Sequence, residues 1–163
     1  MRALSLVLLC LALSACGFQL RGDAQLPEGT ERTWLDVRDR TSHFARELTL
    51  MLEANGVEVL SGRADDAARL RVHDERMRRD ALTISGQARV REFVLVFDVD
   101  FELLDADGEI LIARETLRLT RDYSFDEQEI LAATREEEFL REDLRRAMAS
   151  QLLRRLEAGA RAP

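Results

Sequence analysis

The sequence predicts an α+β domain in which helices cover the oily face of a mostly antiparallel sheet. Three observations carry that expectation. In EFVLVFDVDFELLD, Phe93, Leu95, Phe97, Val99, Phe101 and Leu103 take every second position, with Glu92, Asp98, Asp100 and Glu102 among their alternates. A period of two sustained this long means a strand with one buried and one wet face, in an antiparallel sheet covered on one side. Asp105-Ala106-Asp107-Gly108 then makes a hairpin turn, and residues 109–121 return as a second long strand carrying Ile110, Leu111, Ile112, Leu117 and Leu119. Finally, Leu140, Leu144, Met148 and Leu152 step by four, with Ala147 and Leu156 beside them. That spacing marks a helix laid on a sheet.

The elements follow in order from the amino terminus. Arg2 and the free amino group precede an apolar run from Leu4 to Leu13 and the small pair Ser14-Ala15. This is the layout of a secretory signal, too short to span a bilayer and without the polar face of a packed helix. Leu13-Ser14-Ala15-Cys16 resembles the lipobox of bacterial lipoproteins. The resemblance implies that residues 1–15 are removed and that the Cys16 thiol carries lipid. Two or more acyl chains anchor a protein stably. Lipoproteins with aspartate after the cysteine tend to stay at the inner membrane; Gly17 stands there, which implies the outer membrane, periplasmic side.

Removal of the leader leaves roughly 150 residues, the size of one ordinary domain, here expected over 16–157. Pro27-Glu28-Gly29 signals a turn and 33–37 a strand, in which Trp34, the sole tryptophan, is expected to pack in the core. Residues 41–55 read as a helix capped by Thr41 or Ser42, with Phe44, Leu48, Met51 and Leu52 on one stripe and Asn55-Gly56 as its stop. A short strand over 57–60, a polar loop over 61–66 and a strand from 69 through Ile84 to a turn at Ser85-Gly86-Gln87 precede the long hairpin. After it, Ser124 with Glu127 and Asp126 with Glu129 form overlapping capping boxes that open the last helix. The segment 158–163, AGARAP, is expected to fray.

Cys10 leaves with the leader and Cys16 is consumed by lipid, so no disulfide is available and stability must come from packing. A net charge of −7 argues against general nucleic-acid binding, which needs a basic footprint. All 24 basic residues are arginine, spread along the chain among the acids, which reads as solvated faces. His43 and His73 are the only histidines, and neither has a second ligand at zinc spacing. Phosphate-loop, dinucleotide and nucleophile-elbow motifs are missing, so no cofactor is implied. DADGEI mimics a calcium loop, but Leu103 and Arg114 fall where the anchoring carboxylates belong. Nothing in the sequence supports an enzyme or a metal site.

The start Cys16-Gly17-Phe18-Gln19-Leu20-Arg21, the helix end Leu52-Glu53-Ala54-Asn55-Gly56-Val57, the strand opening Arg91-Glu92-Phe93, and the tail Arg121-Asp122-Tyr123 … Ile130-Leu131-Ala132 … Gln151-Leu152-Leu153-Arg154-Arg155-Leu156 come in a telling order. In these pieces the chain resembles the LPS-assembly lipoprotein family LptE. The resemblance implies two helices on a four-stranded sheet, a complex with the outer-membrane barrel LptD, and insertion into its lumen as a plug. It also implies binding of lipopolysaccharide, for which Arg89, Arg91 and Arg135 are the candidate residues, since guanidinium forks suit phosphates. The competing expectation is a carrier lipoprotein that itself holds lipid, which would show an apolar cavity of about 300 Å3 or more.

Overall fold

The computed structural model describes residues 26–84, 90–125 and 130–160. Its elements are β1 (Arg32–Val37), α1 (His43–Ala54), β2 (Glu58–Leu60), β3 (Ala68–Ile84), β4 (Val90–Leu104), β5 (Ile110–Ser124) and α2 (Ile130–Gly159). The α+β class and both helices are as expected. The sheet is not four-stranded: it has five strands in the order β2-β1-β3-β4-β5. Nor is it antiparallel throughout, because β1 runs parallel to both β2 and β3, while β3, β4 and β5 form the antiparallel meander.

The parallel pairs follow from α1. A helix between two strands carries the chain back along the sheet, so β2 re-enters beside β1 in the same direction. Trp34 of β1 is level with Leu60, where β2 ends, and with Arg69, near the start of β3. The segment 61–67 therefore only has to cross β1 sideways. Arg40 fixes this corner, its Nη1 donating to the carbonyls of Leu35 (2.8 Å), Leu60 (3.3 Å) and Ser61 (3.3 Å).

Local chemistry sets the ends of α1. The Ser42 hydroxyl accepts from the Ala45 N–H at 3.0 Å and donates to Glu75 on β3 at 2.9 Å, so one N-cap also ties the helix to the sheet. At the other end Gly56 takes φ +84, its N–H reaching the Glu53 carbonyl and the Val57 N–H the Leu52 carbonyl. These are the two bonds of a Schellman stop, with buried Val57 and Leu52 on its apolar side. In the hairpin, Gly108 (φ +91) closes a type I turn plus bulge: its N–H bonds the Asp105 carbonyl, and the Glu109 N–H the Asp105 carboxylate. Of the capping boxes expected to open α2, Ser124 is the last residue of β5, paired with Glu92, while Asp126, Glu127 and Glu129, like the turn at 85–87, lie outside the described residues. The helix itself continues to Gly159, two residues into the stretch expected to fray.

The core lies between the helices and one face of the sheet. Leu95, Phe97, Val99, Phe101 and Leu103 point into it from β4, Phe44, Leu48 and Leu52 from α1, and Leu144, Met148, Leu152 and Leu156 from α2. Phe44 meets Phe97 edge to face at 5.5 Å between ring centres. Trp34 departs from expectation. Buried Thr33 and Leu35 take the core-facing positions of β1, so strand alternation turns Trp34 to the helix-free face, half-buried, with the Arg69 guanidinium 4.5 Å over its ring.

Candidate functional site

Two surfaces carry chemistry: the helix-free face of the sheet, and the end of the domain where β3 stops and α2 starts. The first is built by alternation. On β4 the residues between Phe97, Val99, Phe101 and Leu103 are acidic, Asp98, Asp100 and Glu102, and the strands on either side answer with arginine. Arg78 of β3 and Arg118 of β5 grip Asp98 from opposite sides, each at 2.6 Å. Arg114 pairs with Asp100. Asp36 of β1 accepts from Arg69 (2.6 Å) and Arg71 (3.1 Å), and Arg71 passes on to Glu102 at 3.2 Å. The face is thus an acid-centred lattice with arginine on its flanks. Bonds from Arg118 and, against some burial, Arg78 hold the Asp98 carboxyl below its ordinary value, and Arg114 does the same for Asp100. Asp36 is lowered too: burial opposes ionisation there, but the two arginines outweigh it.

At the far end of the sheet the hub is Glu137 of α2. Its carboxylate accepts from Arg79 of β3 (2.9 Å), from Arg141 one turn on (2.6 Å) and from the Tyr123 hydroxyl of β5. Burial works against the charge, yet these three donors hold the Glu137 carboxyl below its usual range. Tyr123 is shifted upward, by burial and by the bond to Glu137. Around it, Phe93 stacks on Tyr123 at 5.7 Å, Phe125 meets Phe93 edge-on at 5.8 Å, and the Arg79 guanidinium lies 4.5 Å over the Phe93 ring. Sequence reasoning placed no function on this cluster; the one pointer was Tyr123 within the Arg121-Asp122-Tyr123 motif.

Outside the hub, α2 presents an unusual stripe. Leu131 is 78% exposed and Phe139 63%, with exposed Arg135 midway between them at four-residue spacing. Ile130 and, from the end of β3, Leu82 are also exposed. Of the candidate lipopolysaccharide residues, Arg135 therefore sits on the free side of α2 between two apolar side chains. Arg91 falls at the start of β4, at this same end, its side chain outside the described set. Arg89 and Cys16 lie outside the described residues.

Cavities are small where a lipid carrier needs space. The seam lined by Leu26, Leu52, Val57, Leu70, Leu103 and Leu156 holds about 10 Å3. A wider cleft of about 260 Å3 lies beside Trp34 between the 61–67 segment and the 105–108 turn, lined by arginines and acids. Among the described residues no cluster of His, Cys, Asp and Glu could hold a metal, and no helix is long and apolar enough to cross a membrane.

A family model described as LptE, lipopolysaccharide-assembly, matches residues 32–156, from the first residue of β1 to the last core leucine of α2. The chain belongs to the LptE family. Proteins of the LptE family are non-enzymatic LPS-assembly lipoproteins. The LPS-assembly lipoprotein LptE of Photorhabdus laumondii is 27% identical over 153 residues, 94% of this chain and 83% of that protein. Its counterpart in Pectobacterium atrosepticum is 28% identical over 158 residues, with the same coverage. In structure, the chain is similar to a lipoprotein B from Nitrosomonas europaea, with TM-score 0.74, 29% identity, and 90% and 94% of the two chains covered. The rare lipoprotein B of Shewanella oneidensis shares the fold, with TM-score 0.68 at 24% identity over 78% of this chain and 94% of the other.

Proposed function

We propose that this LptE-family chain is anchored by lipid on Cys16 to the periplasmic side of the outer membrane, where it plugs and organises the LptD barrel for lipopolysaccharide insertion. The observation that carries this reading is the ion-pair lattice on the helix-free face. Barrel lumens are polar, and a wedge seated in one must offer polar surface over a filled core. Here Asp36, Asp98, Asp100 and Glu102 are matched by arginines from neighbouring strands. The surface is charged without being one-signed, and the seam of about 10 Å3 leaves the core full. A carrier that shelters acyl chains inside itself needs volume that this seam lacks.

Lipopolysaccharide contact belongs, on this reading, to the far end of the domain. Arg135 offers a guanidinium to a phosphate while Leu131 and Phe139 offer apolar surface beside it, and Arg89 and Arg91 complete the candidate set. Purification of acylated protein from outer membranes tests the main claim. LptD is expected to come with it, and recovery without a large barrel partner refutes the plug. Mass spectrometry expects a diacylglycerol-modified Cys16 at the mature amino terminus. Replacing Arg89, Arg91 and Arg135 together is expected to weaken lipopolysaccharide retention; unchanged retention removes them as ligands.

A further inference from the structure

The helix-free face is recessed beside β1. After β2 the chain crosses β1, and the segment 61–67 forms a ridge there. Arg40 holds one end through the Ser61 carbonyl, and Arg32 holds the other through Asp66. Between this ridge and the 105–108 turn lies the cleft of about 260 Å3, lined by Trp34, Arg69, Arg71 and Glu102 as well as by Arg63 of the ridge. Small-molecule pockets are larger, roughly 300–1,000 Å3. A recess of this size suits one side chain of a partner.

Its donors are of two kinds. Arg63 is exposed and makes no hydrogen bond or ion pair among the described residues. Arg69 and Arg71 are held but not used up. Asp36 accepts from Nε and Nη2 of Arg69 and from Nε of Arg71, and Glu102 accepts from Nη1 of Arg71. That leaves Nη1 of Arg69 and Nη2 of Arg71 without an acceptor among the described residues. Because the two acids already fix these forks, an incoming anion has to order Arg63 and little else. The Trp34 ring beneath the Arg69 guanidinium stiffens the same wall. The opposite wall has the other sign: Asp105 and Asp107 stand in the turn, and the Asp107 carboxylate has no partner among the described residues.

On the plug reading, which this site presupposes, we propose that the cleft is a socket for a carboxylate side chain projecting inward from the wall of the LptD barrel. Side chains of a barrel strand alternate between lumen and outside, so an inward one meets the helix-free face end-on. A carboxylate accepts several bonds at once, which matches the Arg63 fork and the two uncommitted N–H groups. Asp105 and Asp107 repel a second acid, so the carboxylate enters on the ridge side. Elsewhere on this face the arginines already have acids: Arg78 and Arg118 hold Asp98, and Arg114 holds Asp100. The lattice gives the plug a polar skin; the cleft gives it a fixed point of engagement.

The tagged full chain, expressed in its native outer membranes, carries a photo-reactive benzophenone residue at position 63 or, with Arg63 kept, at position 64. Both positions lie in the cleft wall. Both probes are expected to cross-link to the barrel, with the adduct within two residues of an inward-facing Asp or Glu. Arg63→Glu, at an exposed and unbonded position, is expected to keep native circular dichroism and to lower the barrel recovered with the tag by at least about tenfold. Changing the mapped acid to Arg is expected to restore it. If the barrel comes with the unsubstituted chain but neither probe reaches it, no acid lies beside the adduct, or Arg63→Glu leaves recovery unchanged, the socket is overturned and the plug stands. If no barrel comes with the unsubstituted chain, the plug itself has failed. A free anion is the other source of this chemistry, and Trp34, the sole tryptophan, reports it by fluorescence in the isolated chain. A saturable change below about 1 mM inorganic phosphate that Arg63→Gln abolishes assigns the cleft to a soluble anion and overturns the socket.

Discussion

Glu137 gives the sharpest energetic test, because one carboxylate serves three donors from three elements. Glu137→Ala strands the Tyr123 hydroxyl, which sits in a buried position, and a buried donor without a partner costs about 1–3 kcal/mol. The two guanidiniums lose less. Arg79 is 44% exposed and Arg141 30%, so water replaces much of what the carboxylate gave, and each contributes about 0–1 kcal/mol. The sum is a destabilisation of about 1–5 kcal/mol. Urea unfolding followed by circular dichroism measures it, and a double-mutant cycle with Tyr123→Phe isolates the shared part. Tyr123→Phe removes only the hydroxyl and leaves the Phe93 stack in place. With Glu137→Ala it is expected to couple by about 1 kcal/mol. If the two losses simply add, within about 0.3 kcal/mol, the hub does not bind helix to sheet as described.

Three further expectations are simpler. Phe101, fully buried on β4, should cost about 3–5 kcal/mol as Phe101→Ala; denaturant curves that coincide with those of the unsubstituted chain would contradict a core centred there. Asp98→Asn releases Arg78 and Arg118, whose side chains are well exposed, so the loss in the same assay should stay below about 1 kcal/mol, and a larger one would mean the lattice bears stability. Acid should weaken the fold in a defined window. Asp36, Asp98, Asp100 and Glu137 all have folded values below their ordinary ones, so their contribution is complete above an unfolded value of about 4 and disappears as pH falls through the lowered values. Thermal melts should therefore hold between pH 7 and pH 5 and drop by pH 3; a constant midpoint down to pH 3 would refute the assignment.

Sequence by itself determined what depends on neighbours along the chain. The alternation through Phe101 fixed which face of β4 is buried, because side chains on a strand must point to opposite sides. Ser42 and Asn55-Gly56 fixed where α1 begins and ends, through bonds that span only a few residues. The family resemblance was legible for a similar reason, since it rests on short ordered motifs. Tertiary structure decided what depends on residues far apart. Local alternation says nothing of which strand lies alongside, so the parallel pairing of β1 with both β2 and β3 emerged only once α1 had folded back. Trp34 turned to the helix-free face because the pleat gave Thr33 and Leu35 the core positions, and Arg69 then covered its ring. The Glu137 hub was invisible for the same cause: Arg79, Tyr123 and Glu137 are brought within bonding distance only when α2 lies back along β5, and a hydrogen bond of 3 Å has no signature in residues separated by 58 positions of chain.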